Sequence, residues 1–251
     1  MLMRMKSMQI ILSLCLLLGQ PPVAHAVASI SIALATSQSP APDQTPTLNA
    51  ANSKDGCEFV SGMAESLGKW RDYSCDSDLI NYYSNKVTHS GGGFFFKENQ
   101  VRIQIRGGGF RDGTVIVKHK DGSVTGKGGL ALGFMKINLD PDSRMLKLPD
   151  GDNVVKSDLP SVVEEVVRDL GRGYACRVST KTTEEAGLSN PVFIVEECEK
   201  SSGRLLRRIF VDSVSHIPAR IHLFRGEVKC STATFLNVRV NGGLKDDLFN
   251  M

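Results

Sequence analysis

Apolar stripes at helical spacing in two places, and period-2 alternation over most of the rest, predict an α+β fold. The expected architecture is a curved antiparallel sheet forming a half-open β-barrel covered by helices. A third observation sets the topology. Short turns rich in Gly, Asp and Ser separate the strand segments, which suits meanders and not crossovers.

The first stripe is Phe59, Met63, Leu67 and Trp70, with Val60 and Ala64 beside it and Ser53 or Asp55 as cap. Strands follow over Tyr73 to Tyr83 and Gly93 to Phe96. Val101, Ile103 and Ile105 then alternate with Arg102, Gln104 and Arg106, the mark of a half-buried strand. Gly107-Gly108-Gly109 closes that strand, Val115-Ile116-Val117 makes the next, and Asp121-Gly122 is a hairpin turn. A glycine-rich turn or lid over Gly126 to Gly133 leads to Met135, Ile137 and Leu139 at alternate positions, and Asp140-Pro141-Asp142-Ser143 turns the chain.

The second helix carries Leu159, Val162, Val163, Val166, Val167 and Leu170. Ser157 or Asp158 caps it, Pro160 sits in its first turn, and Gly171 and Gly173 stop it. Five further strands complete the chain: Tyr174 to Thr180, Pro191 to Glu197, Leu205 to Asp212, Ala219 to Phe224 and Val228 to Val240.

At 251 residues, 41% hydrophobic and 23% charged, the chain has a globular balance that excludes disorder, collagen and a polytopic membrane protein. Arg4 and Lys6, the apolar run Ile10 to Leu18 and Ala24-His25-Ala26 together read as a signal peptide cut after Ala26. That run is well short of the ~20 residues of a membrane-spanning helix, so an integral membrane protein is not expected. The predicted organisation is 1–26 signal peptide, 27–53 flexible Ala/Ser/Pro-rich spacer and 54–251 domain, in the periplasm or secreted. The net charge of +3 falls to +1 without Arg4 and Lys6, which leaves no electrostatic case for a nucleic-acid partner.

Without Cys15, five cysteines remain: Cys57, Cys75, Cys176, Cys198 and Cys230. Export implies oxidising conditions and an unpaired thiol among five. A hairpin turning symmetrically at Gly187 would set Cys176 opposite Cys198, and that pair is the expected disulfide.

Signatures of chemistry are thin. The chain lacks G-x-S-x-G, H-E-x-x-H and P-loop motifs. Ser66-Leu67-Gly68-Lys69 matches S-x-x-K without its companion motifs, and Asp140, Asp142, Asp150 and Asp152 miss the EF-hand register. His89, His119, His216 and His222 have no partner at ligand spacing. No catalytic residue, metal site or cofactor is expected, and the chain does not read as an enzyme.

Several segments together resemble a known family. They are Tyr73-Ser74-Cys75, Ile137-Asn138-Leu139-Asp140-Pro141-Asp142-Ser143, the helix over Val162 to Leu170, Ile217-Pro218-Ala219-Arg220-Ile221, and the tail Asn241-Gly242-Gly243-Leu244-Lys245-Asp246-Asp247-Leu248-Phe249. The chain is similar to the LolA-like superfamily of exported carriers of outer-membrane lipoproteins, in a secreted branch, over Lys54 to Met251. The resemblance implies an unclosed barrel whose concave apolar face holds lipid or lipoprotein acyl chains. The candidate lining is then the inward set of the strands: Val101, Ile103, Ile105, Val115, Val117, Met135, Ile137, Ile194, Ile221 and Leu223. An envelope sensor or scaffold that binds a protein partner through the same fold is the alternative.

Overall fold

The computed structural model describes residues 48–83, 86–107, 112–129, 133, 135–148 and 153–251. The expected signal peptide and most of the expected spacer lie outside the described residues. Two α-helices and twelve strands are found among the described residues. In chain order they are β1 (Ser53–Asp55), α1 (Cys57–Gly68), β2 (Asp72–Tyr83), β3 (Lys86–Lys97), β4 (Gln100–Arg106), β5 (Val115–Lys118), β6 (Val124–Lys127) and β7 (Ile137–Leu139). After these come α2 (Leu159–Leu170), β8 (Tyr174–Ser179), β9 (Val192–Glu199), β10 (Leu205–Asp212), β11 (Pro218–Arg225) and β12 (Val228–Val240).

All strand pairs are antiparallel, in the order β1-β8-β9-β10-β11-β12-β2-β3-β4-β5-β6-β7. Two meanders, β2 to β7 and β8 to β12, join where β12 pairs with β2, and the sheet stays open between β1 and β7. The expected α+β half-barrel is therefore what the chain forms.

The helix signals act where the sequence puts them. Asp158 Oδ1 accepts from Ser161 N at 2.9 Å to cap α2, with Pro160 in the first turn and Gly171 at the C-cap. At α1 the N-cap is Gly56, and the Asp55 carboxylate accepts from Cys57 N at 2.8 Å. Val60, Met63 and Leu67 of α1 and Leu159, Val163 and Val166 of α2 are buried in one cluster with Tyr73, Phe94, Val101, Ile209 and Val211 of the sheet. Tyr73 fixes this junction. Its ring meets Trp70 at 5.4 Å and Phe96 at 5.5 Å, and its hydroxyl accepts from Leu159 N at 2.9 Å.

The outer face has two covers of its own. Leu48, Val192, Ile194 and Phe210 form a second buried cluster, and Leu48 N donates to Glu196 beside the Arg208–Glu196 ion pair (2.6 Å). The folded part thus includes Leu48 to Ser53, which the sequence assigns to the spacer. On the other meander, Arg102 Nη1 donates to Leu248 O at 2.8 Å and Lys97 Nζ to Leu244 O at 2.7 Å, tying down a C-terminal turn whose Phe249 is buried.

The Cys176–Cys198 pairing does not form. In the β8–β9 ladder Ala175 faces Cys198 and Cys176 faces Glu197, one residue away from the symmetric register. A one-residue offset sends the two side chains to opposite faces of the sheet. No disulfide joins the five described cysteines to one another.

One ionic link holds α2 to the inner face. Arg207 Nε lies 2.7 Å from Glu197 Oε2, and Arg207 Nη2 lies 3.4 Å from Glu165 of α2. Burial pushes the Glu197 carboxyl up from about 4.5 to about 7; Arg207 pulls it down, while Asp169 and Glu165 add to the rise. Between those values the folded chain keeps a proton at Glu197 that the unfolded chain has released. Stability contributed there is full at low pH and is lost as pH rises to about 7. Urea titrations of wild type and Glu197→Gln are expected to show the variant gaining relative stability from pH 4 to pH 8. Curves that stay parallel would refute the assignment.

Candidate functional site

The inner face of the long strands is a ladder of cross-strand pairs. Between β2 and β3 these run Tyr73↔Phe96, Cys75↔Phe94, Ser77↔Gly92, Leu79↔Ser90 and Asn81↔Thr88. On β12, Phe235, Ala233 and Ser231 face Ser77, Leu79 and Asn81, and on β4 Ile103 and Ile105 face Phe94 and Gly92. The Tyr73 end carries bulky rings that meet the helices. Beyond it Ser77, Ser90, Gly92 and Ala233 interrupt the larger side chains, and a cavity of about 740 Å³ opens.

Phe94, Ile103, Ile105, Ile116, Leu139 and Phe235 make its apolar wall, and Met145, Leu146, Leu148 and Val154 close it from the β7–α2 connection. Asn81, Thr88, Ser90, Thr114, Lys86 and Lys147 supply a polar part, where Asp78 pairs with His89. The concentration of apolar side chains at one end makes the cavity amphipathic along the strands. Its volume lies within the ~300–1,000 Å³ of small-molecule sites.

Of the ten lining candidates, Ile103 and Ile105 line this cavity. Val101, Ile137, Ile221 and Leu223 belong to the inner apolar cluster without lining it. Ile194 points the other way, into the outer cluster with Leu48 and Phe210. Val115 and Val117 pair with Gln104 and Arg102 and so share their face, while Ile116 pairs with Ile103 and reaches the cavity. Met135 is 73% exposed. In Val115-Ile116-Val117 both alternating phases are apolar, so only pairing reveals which is inward. Phe94-Phe95-Phe96 hides its inward residues in the same way.

Thiol chemistry is not poised here. Burial pushes both Cys75 and Cys176 up to about 12, which keeps them protonated. Among the described residues no cluster of three or more His, Cys, Asp or Glu is arranged to hold a metal ion. No helix among them is long and apolar enough to cross a membrane.

Gly92 allows a close approach of β3 to β4 in the cavity wall. A Cβ there would lie 1.9 Å from the backbone oxygen of Gln104 on β4. Backbone cannot swing aside as a side-chain tip can.

No family model matches the chain, and no curated protein matches it. Among solved structures it is similar to a DUF1329 family protein from Desulfovibrio piger, at 12% identity and TM-score 0.42, over 78% of this chain and 98% of that one. It is similar to a LolA superfamily protein from Nitrosomonas europaea at 9% identity and TM-score 0.42, over 78% and 97%. The lipoprotein LppX from Mycobacterium tuberculosis aligns at 8% identity and TM-score 0.41, over 76% and 97%.

Gly92→Ala is expected to cost about 2 kcal/mol or more in urea denaturation, as overpacking does. Gly62→Ala, in the exposed middle of α1 with nothing within 4 Å of the added methyl, should gain roughly 0.5–1 kcal/mol. The fold these residues build is an open antiparallel sheet with two helices packed on its inner apolar cluster.

Proposed function

We propose that the protein is a non-enzymatic carrier of the cell envelope that holds the acyl chain of a lipid or lipoprotein in the half-barrel. The cavity carries this reading. An apolar wall of Phe94, Ile103, Ile116, Leu139 and Phe235, left open by the helices, supplies what a hydrocarbon chain needs. Each methylene moved there from water contributes about 0.8 kcal/mol. An acyl group of a dozen carbons thus offers enough to offset the several kcal/mol that association costs. Export to the periplasm or beyond rests on the signal-peptide pattern of residues 1–26.

The test is displacement of a fluorescent long-chain fatty acid. Wild-type protein should bind it, and Ala233→Trp, which fills the cavity from β12, should bind at least ~10-fold more weakly with unchanged circular dichroism. Undiminished binding by Ala233→Trp, or none by wild type, would overturn the proposal. A persistently empty cavity together with a stable protein complex would favour the scaffold.

A further inference from the structure

Two polar atoms in the cavity wall are buried without a hydrogen-bond partner: Oδ1 of Asn81, in a residue 8% exposed, and Oγ1 of Thr114, in a residue 5% exposed. Asn81 stands at the polar end of the ladder, opposite Thr88 on β3 and Ser231 on β12. A buried acceptor that meets no donor is costly. A ligand that brings a hydroxyl to this position removes that cost, and a bare hydrocarbon does not.

A second, independent observation concerns charge. Lys86 lies one inward pair beyond Thr88 on the same strand, and Lys147 lines the cavity from the β7–α2 connection. Neither makes an ion pair with another described residue, and the carboxylate at this end, Asp78, is already held by His89. The cavity lining therefore carries two cationic side chains as well as an unmet acceptor.

We infer that the ligand is a single-chain amphiphile whose head group is anionic and hydroxylated. Its tail lies on the Phe94–Ile103–Ile116 wall, a hydroxyl donates to Asn81, and the anion sits between Lys86 and Lys147. This rests on the acyl-binding reading above and adds the head group.

Four probes with one sixteen-carbon chain separate the contributions in direct binding at pH 8. They are palmitoyl lysophosphatidylglycerol (anion and hydroxyls), hexadecyl phosphate (anion alone), monopalmitoylglycerol (hydroxyls alone) and methyl palmitate (neither). The first should bind about tenfold more tightly than the second or third, and the fourth should bind weakest. Asn81→Leu should abolish the preference for lysophosphatidylglycerol over hexadecyl phosphate. Lys86→Gln with Lys147→Gln should abolish its preference over monopalmitoylglycerol, with the circular dichroism of each variant unchanged. Equal binding of all four probes would overturn the head-group assignment and leave the acyl site standing, as when water serves Asn81. Binding of none would overturn both.

Discussion

The length mismatch between strands and helices governs this molecule. β2 and β3 have 12 residues each and β12 has 13, so each runs about 40 Å. α1 and α2 also have 12 residues each, but a helix rises only 1.5 Å per residue, giving about 18 Å. The two helices meet the sheet at the end where Tyr73 sits, and the β7–α2 connection closes over the cavity beyond it. The cavity lies between that connection and the sheet.

The cavity wall mixes small inward side chains with larger apolar ones on strands that are already paired. Ser77, Ser90, Gly92 and Ala233 occupy inward positions that larger residues would fill, and Gly92 admits an approach to β4 that no other residue tolerates. The covered end is filled by rings, with Tyr73 bonded to the first turn of α2. The same sheet therefore serves as a packed core at one end and as an open wall at the other. Clamps on its outer face, the Glu196–Arg208 pair beneath Leu48 and the Arg102 bond to the C-terminal turn, hold the curvature without occupying the concave side.

Ionisable groups are distributed to match. Glu197, Arg207 and Glu165 join α2 to β10 at the covered end, where burial dominates the carboxyl's behaviour. At the open end Lys86 and Lys147 stay exposed. In the cavity wall two buried polar atoms lack a partner, Asn81 Oδ1 and Thr114 Oγ1.

Much of the fold was legible in the sequence because it depends on local regularities. The 3.6-residue stripes place α1 and α2, Asp158 and Gly171 mark the ends of the second, and period-2 alternation finds nearly every strand. The site was legible only in part. Ile103 and Ile105 were readable because Arg102 and Gln104 separate them, whereas Ile116 and Phe94 lie in uninterrupted apolar runs that alternation cannot phase. Cys176 and Cys198 show the same limit, since one residue of register in a ladder separates facing side chains from opposed ones. By itself the sequence determined the α+β elements and their order, through periodicity and caps acting within a few residues. Tertiary structure alone decided register, inward phase and the extent of helix cover, because each depends on pairing between residues far apart in the chain.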